Sequence, residues 1–402
     1  MKNLVRGVLA AAAILLVVVS AAGAKPKPKH KPKPKPATPP AAHLFVIMLE
    51  NHSKSSVLGD QNAPFINSLA QSYAVAENYY GVTHPSEPNY VAAISGSNWF
   101  INNDDPNNRF NHTNIVDELE AKHLTWGAYM ESMPSVGYTG DFFPSSGSPL
   151  YASKHNPFVL FDDIRSNSAR LARIKPYTDL ATDLQKVSTT PNFVWISPNQ
   201  CHDMHGGVYS AVATDGSDGT PCPYGSTKDD TNDAALKQKA DGFVKNAVSS
   251  IMASPAWKAG LAAIFIVTDE NDYTGDASTD GWESADGCCD SPYLPQGTQF
   301  LGANGQPDGK TWAGGMYGGG LIPAVIVTNK GKTGGYQSQV PYNHYSLLST
   351  IQWNWGLPPL ANTADTLNVK PMTEFFTRGK GSGSHDGDDE GHGKHKGKSK
   401  HH

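Results

Sequence analysis

Four predominantly apolar runs constrain the fold of this chain more than any other feature of its sequence. They occupy residues 44–49, 192–196, 262–267 and 323–327. Strands without polar alternation are typical of a parallel sheet, because helices cover both of its faces. Weaker strand signals lie at 76–82 and 124–130, and helical patterns lie at 63–76, 114–122, 231–254 and 345–355. The sequence therefore predicts an α/β fold with a mainly parallel central sheet and helices on both faces.

The two ends of the chain differ in composition from the segment between them. Residues 1–24 combine Lys2 and Arg6 with an apolar stretch and small residues at its end, which predicts a secretory signal peptide, with an uncleaved anchor as the alternative. Residues 25–41 are rich in Lys and Pro, which favours an extended linker, and a second interpretation is weak contact with an anionic cell surface. Residues 378–402 carry no apolar side chain, so we expect a disordered tail rich in His, Gly, Lys and Asp.

These ends leave residues 42–377 as the predicted catalytic domain of an exported protein, either secreted or retained in the periplasm or cell wall. The formal charge of −5 argues against nucleic acid as a partner and is compatible with carboxylates clustered around a cation. Residues 206–234 and 271–320 are rich in Gly, Asp and Pro, which predicts long loops over the edge of the sheet.

The chain contains four cysteines, Cys201, Cys222, Cys288 and Cys289. An even number in an exported protein favours disulfides, and four cysteines allow three pairings. We expect Cys288 and Cys289 each to pair with a distant cysteine in preference to each other. A zinc site is the alternative, although the spacing lacks the usual closely spaced cysteine pairs.

A serine at the start of a helix is the first candidate for chemistry. Ser86 stands just before Pro88, which suits an early helical position, and Gly96 is a plausible stop for that helix. Unpaired backbone N–H groups at a helix N-terminus favour a phosphoryl group there. Serine in this place is also an ordinary helix cap, so Ser86 needs support from other residues.

Further polar residues follow the predicted strands, at the ends where ligands of an open α/β sheet bind. They are Glu50 and Asn51 after the first run, His202, Asp203 and His205 after the second, Asp269 and Glu270 after the third, and His344 before the last helix. Each has an ordinary alternative as a strand end, a helix cap or a loop histidine. Together they predict a site for a divalent metal ion, with Mg, Ca, Mn, Zn and Fe all compatible with the donors.

The chain resembles the phosphoesterase family of acid phosphatases and phospholipases C in the alkaline phosphatase superfamily, and is most similar to the secreted acid phosphatases of the mycobacterial type. The segments that carry this resemblance occur in family order at residues 50–53, 83–90, 126–133, 154–158, 198–205, 268–270 and 342–346. The resemblance implies a phosphoenzyme formed on a metal-activated hydroxyl. Residues 86–89 also resemble the nucleophile turn of nucleotide pyrophosphatases, whose hydroxyl lies three residues before an Asn, here Asn89, and this favours Ser86 over Thr83 as that nucleophile.

The resemblance also implies roles for the other candidates. Glu50, Asn51, Asp269 and Glu270 match metal ligands, while His202, His205 and His344 match catalytic positions that contact phosphate or a second metal. Asn89, His155 and Asp203 match positions expected to bind substrate. One departure is Lys54-Ser55 after Ser53, where family members usually carry an aromatic residue and then Asp or Ser, which affects the expected substrate contacts near Glu50.

We therefore expect a secreted, metal-dependent acid phosphatase that hydrolyses phosphomonoesters, including phosphoinositides, through a Ser86 phosphoenzyme. Its partners would be phosphorylated small molecules or phospholipid headgroups. One alternative is a phosphodiesterase of the phospholipase C type, which the short segment after His344 disfavours. The other is a cell-surface metal-binding protein without enzymatic activity that acts through its charged ends.

Overall fold

The computed structural model describes residues 41–207, 222–223, 232–272, 285–301, 307–312 and 314–376. The strands of these residues, in chain order, are β1 (His43–Leu49), β2 (Ala74–Tyr80), β3 (Trp126–Met130), β4 (Phe142–Phe143), β5 (Tyr151–Ala152), β6 (Ile174–Pro176), β7 (Phe193–Ser197), β8 (Ala262–Thr268), β9 (Tyr293–Leu294), β10 (Gln299–Leu301), β11 (Pro307–Thr311), β12 (Gly315–Met316), β13 (Ala324–Thr328) and β14 (Tyr336–Asn343).

The helices surround these strands. The α-helices are α1 (Lys54–Val57), α2 (Pro64–Ser72), α3 (Ser86–Ser95), α4 (Ile115–Ala121), α5 (Asp162–Arg165), α6 (Ser168–Leu171), α7 (Leu180–Asp183), α8 (Asp233–Ala253), α9 (Pro255–Ala259) and α10 (His344–Trp355). Short 3₁₀ helices occupy Ser153–His155, Pro157–Leu160, Tyr177–Asp179, Ala361–Ala364 and Thr373–Phe376.

Eight strands form one central sheet in the order β14-β2-β13-β8-β1-β7-β3-β6. Its pairings are parallel except those of β13, which runs antiparallel to both β2 and β8. The prediction of an α/β fold with a mainly parallel sheet is therefore confirmed. The six remaining strands form three small two-stranded sheets beside it.

Strand β1 shows why the apolar runs lack polar alternation. Leu44, Val46 and Met48 face one hydrophobic core, which includes residues of α3, α4 and α10. The intervening residues Phe45 and Ile47 face a second core, which includes residues of α2 and α8. Because both faces of β1 are covered, each of its side chains is buried, as the sequence predicted.

Two expectations about local structure are corrected. The helix predicted over 63–76 ends at Ser72, and the small apolar residues Ala74 and Ala76 instead continue into β2, where both are buried in the sheet. The predicted loop at 271–320 contains the short strands β9 to β12. Most of the loop predicted at 206–234 lies outside the described residues, as do the predicted signal peptide, nearly all of the linker and the tail.

The cysteines approach one another differently from the expected arrangement. Cys201 lies beside Cys222, with their Cα atoms 5.4 Å apart, and Cys288 lies beside Cys289. The expectation that Cys288 and Cys289 each pair with a distant cysteine is therefore wrong. Cys289 is buried and has φ +57°, in the turn where Cys288 packs beside it. Among the described helices, none combines the length and the apolar character that crossing a membrane requires.

Candidate active site

The candidate residues converge at the carboxyl ends of the strands. Glu50 follows β1, Asp203 follows β7, Asp269 follows β8, and His344 follows β14. Ser86 lies after β2, at the first position of α3. These strands run in the same direction, so their ends form one rim of the sheet, and all five side chains are buried there.

Asn89 fixes the loop that carries Ser86. Its Oδ1 accepts hydrogen bonds from the N–H groups of Val82 and Thr83, at 2.8 and 3.1 Å. Its Nδ2 donates to the carbonyls of Thr83 and Pro85, at 2.7 and 3.0 Å. These four bonds use the two donors and both acceptor sites of the amide. The structure thus gives Asn89 a positioning role, and its predicted contact with substrate stays a prediction.

Three acceptor oxygens surround the hydroxyl of Ser86. Its Oγ lies 3.0 Å from Glu50 Oε2, 3.3 Å from Asn51 Oδ1 and 3.2 Å from Glu270 Oε1. A serine hydroxyl carries one hydrogen and can donate to only one acceptor at a time. The remaining oxygens therefore face Ser86 with lone pairs, an arrangement that a proton or a cation would stabilise.

Asn51 links the ends of β1 and β8. Its backbone N–H donates to Asp269 Oδ1 at 3.0 Å, and its Nδ2 donates to Glu270 Oε1 at 3.3 Å. The residue has φ +36°, a positive value that Asn tolerates better than most residues. In this conformation the Asn51 backbone N–H meets Asp269 while its side chain reaches Glu270.

Two imidazoles lie against the same carboxylates. His84 Nδ1 bonds to Glu270 Oε2. His155 Nε2 lies 3.1 Å from Glu50 Oε1, and its Nδ1 lies 3.5 Å from Asp203 Oδ2. The structure therefore brings His155 and Asp203, both predicted to bind substrate, together with Glu50, which was predicted to bind metal.

The histidines predicted to be catalytic occupy different positions. His344 Nε2 donates to the Asp269 carbonyl at 2.6 Å, while the Tyr79 hydroxyl lies 3.2 Å from Nδ1. His205 bonds through its backbone N–H to Asp203 Oδ1 and through Nδ1 to the carbonyl of the next residue. Burial lowers the pKa of His205 to about 3 and of His344 to about 4, so both rings are neutral above about pH 5.

His202 makes its described contacts farther from this group. Its Nδ1 lies 2.9 and 3.0 Å from the two carboxylate oxygens of Glu131, and its ring stacks on Phe243. His205, in contrast, lies close to His155, with ring centroids 6.1 Å apart. The catalytic role of His202 stays a prediction, with Glu131 as its partner.

Burial dominates the ionisation of the carboxyl groups. It raises the pKa of Asp269 to about 8, and the charge of Glu270 adds to that rise. It likewise raises the pKa of Glu50, where Asp269 contributes, and of Glu270, where Asp104 contributes. Positive charge placed among these groups would oppose this rise and favour the ionised carboxylates.

Lys154 is a site residue that sequence reasoning did not single out. Its Nζ lies 3.0 Å from Asp104 Oδ2. Burial alone would lower the pKa of Lys154, but the charges of Asp104 and Glu50 outweigh it and raise that pKa. The sequence offered one signal for Lys154: it directly precedes His155, which was predicted to bind substrate.

The donor atoms of the site are of the kind that bind a divalent cation. Asp269 Oδ2 is buried without a hydrogen-bond partner among the described residues, although its Oδ1 is bonded. Carboxylate and amide oxygens from Glu50, Asn51 and Glu270 lie beside it, which is a donor set for a hard cation. In the part of the chain that the structure describes, no three His, Cys, Asp or Glu side chains form a ready-made ion cluster.

The fold and the site define an α/β protein with a buried centre of serine, carboxylates and imidazoles at its strand ends. The chain belongs to the Phosphoesterase family, whose model matches residues 56–217 and 223–358. This confirms the family resemblance inferred from the sequence motifs.

Known relatives match different shares of the chain. A phosphatidylinositol-3-phosphatase of Mycobacterium tuberculosis is 33% identical over 341 residues, which cover 85% of this chain and 84% of that protein. A phosphate-repressible acid phosphatase of Penicillium chrysogenum is 37% identical over 163 residues, which cover 40% of this chain and 38% of that protein. The match with this chain thus spans well under half the length of the fungal enzyme.

A solved structure of a Vibrio parahaemolyticus protein, described as a member of the alkaline phosphatase superfamily, is similar with a TM-score of 0.45 and 11% identity. The similarity covers 84% of this chain and 69% of that one.

Proposed function

We propose that this protein is an exported, metal-dependent acid phosphatase that hydrolyses phosphomonoesters through a phosphoenzyme on Ser86. The observation that carries the proposal is the placement of Ser86 Oγ within 3.3 Å of three acceptor oxygens, from Glu50, Asn51 and Glu270. Membership of the Phosphoesterase family and the names of the relatives support the reaction class.

The chain's own groups are suited to two successive displacements. Ser86 Oγ attacks phosphorus as its proton passes to a neighbouring carboxylate, the bond to the alcohol breaks, and the alcohol takes up a proton from an acid of the site. Water then attacks the phosphoserine, which releases inorganic phosphate and restores the hydroxyl.

A divalent cation held by Glu50, Asn51, Asp269 and Glu270 would lower the pKa of the Ser86 hydroxyl and neutralise phosphate charge. The buried unpartnered Asp269 Oδ2 supports this ligand set. We place His155, Asp203 and His205 at the phosphate. For His344 the contacts favour a positioning role, because its Nε2–H holds the main chain of Asp269.

Phosphoinositides are the substrate class that we propose first among phosphomonoesters. The support is the Mycobacterium tuberculosis relative, which is named a phosphatidylinositol-3-phosphatase and aligns over 84% of its length. Export is part of the proposal on the basis of residues 1–24, whose composition is that of a signal peptide.

The deciding experiment offers the purified full-length protein a phosphomonoester and phosphatidylcholine side by side with each candidate metal. The expected product is inorganic phosphate from the monoester. Phosphocholine would instead identify a phospholipase C-type phosphodiesterase. Absence of both products under all metals would overturn the enzymatic proposal and favour metal binding through the charged ends.

The nucleophile is tested with the Ser86→Ala variant. We expect turnover to fall by at least about a thousandfold, with no phosphoenzyme trapped in acid quench and with unchanged thermal unfolding. Ser95→Ala is the matched control, because Ser95 is a buried serine at the other end of the same helix. Retained activity in Ser86→Ala would exclude Ser86 as the nucleophile.

A further inference from the structure

A large cavity lies next to the loop that carries Ser86. Its volume is about 690 Å³, and Thr83, Tyr317 and Cys289 are among its lining residues. Tyr317 packs edge-on against His84, with ring centroids 5.8 Å apart, and His84 bonds to Glu270 beside Ser86. The cavity is therefore linked to the proposed catalytic centre through the contacts of Tyr317 with His84 and of His84 with Glu270.

The lining of the cavity combines polar groups with exposed apolar side chains. Its buried residues include the polar Thr83, Asn98 and Ser291 together with the aromatic Tyr317 and Tyr345. The lining residues Phe100 and Tyr293 are 94% and 73% exposed. The cavity therefore suits a molecule that forms hydrogen bonds inside it and carries an apolar part at its mouth.

Phe100 and Tyr293, which line the cavity, and Leu367, which precedes the lining residue Asn368 in the chain, are together called the apolar rim. Leu367 is 84% exposed. These are the three most exposed large hydrophobic side chains among the described residues. Single exposed apolar residues are ordinary, but two that line one cavity, with a third beside a lining residue in the chain, indicate an interaction surface.

The low charge of the cavity lining limits the kind of surface that the apolar rim can bind. Asp290 is the one charged side chain among the described residues that line the cavity. A rim with exposed aromatic and aliphatic side chains and so little charge suits the interface of a neutral lipid surface, where aromatic rings insert beside the headgroups. It does not provide the basic residues that attraction to an anionic surface requires.

We propose that the apolar rim docks on a lipid surface and that the cavity receives the headgroup alcohol of a phosphomonoester lipid held in that surface. The phosphate then points past Thr83 toward Ser86, and the acyl chains remain in the lipid. This inference rests on the proposed phosphomonoesterase function and adds that the substrate is held in a lipid surface when it is hydrolysed.

The first test measures binding without turnover. The Ser86→Ala full-length protein is sedimented with vesicles of pure phosphatidylcholine, which carry no net charge and so do not attract the Lys-Pro segment. We expect binding that is insensitive to salt, and about a tenfold weaker association when Phe100→Ser, Tyr293→Ser and Leu367→Ser are combined. Val187→Ser is the matched control, because Val187 is an exposed apolar residue that does not line the cavity.

The second test compares two forms of one substrate in the active protein. A phosphatidylinositol monophosphate embedded in phosphatidylcholine vesicles is compared with its short-chain, water-soluble analogue. We expect the combined rim variant to lose about tenfold more activity on the embedded form than on the soluble form, with no such difference in Val187→Ser.

The two proposals fail in different ways. Hydrolysis of the soluble analogue together with absence of vesicle binding would overturn docking and leave the phosphatase function intact. Vesicle binding that depends on the rim, without hydrolysis of any monoester, would overturn the phosphatase function alone. Dissociation of a dimer in the rim variant, with unchanged vesicle binding, would identify the rim as a contact between copies of the chain and overturn docking.

Discussion

Glu87 directly follows Ser86 in the chain and is a further buried carboxyl, which the proposed mechanism uses neither as a nucleophile nor as a metal ligand. Its Oε1 accepts from Asn108 Nδ2 at 2.7 Å, while its Oε2 has no partner among the described residues. Burial, together with the charge of Asp104, raises the pKa of Glu87 to about 9. The folded protein thus keeps a proton on Glu87 at a pH where the unfolded chain has lost it.

Because the folded protein retains this proton, its free energy of unfolding depends on pH. Between the ordinary pKa of 4.5 and the folded value of about 9, the contribution of Glu87 to stability falls as pH rises, by at most about 1.4 kcal/mol per unit. Glu87→Gln removes this contribution, so we expect its melting temperature to decline less between those values than that of the wild type. If the melting temperatures of Glu87→Gln and the wild type changed equally with pH, the protonation of buried Glu87 would be contradicted. Glu77→Gln is the control, because it removes a carboxylate that is partly exposed.

Residue types alone indicated the chemistry of the site but not each partner. Glu50, Asp269 and Glu270 were identified because they directly follow apolar strands. The structure places Glu50 and Glu270 against Ser86, and Asp269 against the backbone of Asn51. The pairing of His202 with Glu131 was not predictable, because Glu131 follows a different strand, β3, whose neighbour in the sheet the sequence did not specify. Contacts across strands depend on strand order, which sequence periodicity does not encode.

At the scale of elements, Asn343 joins α10 to the turn that holds Cys288 and Cys289. Its Oδ1 accepts from the N–H groups of Tyr345 and Ser346, which caps the helix. Its Nδ2 donates to the carbonyls of both cysteines, at 3.0 and 3.1 Å. One side chain therefore positions the helix that begins with His344.

We expect Asn343→Ala to destabilise the protein by about 2–4 kcal/mol, since it removes a helix cap and leaves two carbonyls without their donor. Phosphatase activity should fall with it, because His344 holds Asp269 from the first position of α10. Urea unfolding measures this loss of stability. Asn167→Ala is the matched control: it removes the cap of α6 far from the site and should cost about 1 kcal/mol or less. Equal costs at both positions would contradict the special role of Asn343.

Local patterns predicted most elements and missed those that depend on distant pairing. Gly96 was expected to end α3, and Gly356 directly follows the helical pattern predicted at 345–355; both adopt the left-handed conformation there. The antiparallel direction of β13 had no such signal, because a strand buried on both faces shows the same apolar run in either direction. The turn at Cys289 was likewise hidden, since a positive φ at cysteine is not indicated by the residue type.

At the scale of the whole molecule, a cation and protons compete for the same buried carboxyls. Without a cation, Asp269 keeps its proton up to about pH 8, so its contribution to stability falls as pH rises from 3.8 toward that value. A cation binds the ionised form, so its stabilising effect should increase over the same range. We expect a chelator to lower the melting temperature little near pH 4 and most near pH 8. Melting that no candidate metal alters at any pH would contradict a cation at this site.

The pairing of β14 with β2 has a consequence for when the protein becomes active. Residues 336–343 lie beside residues 74–80 in the sheet, and His344 follows directly. A ribosome-bound chain that has not yet released this segment lacks one edge of the sheet and the residue that holds Asp269. The centre around Ser86 is therefore completed only after most of the residues that the structure describes have been synthesised.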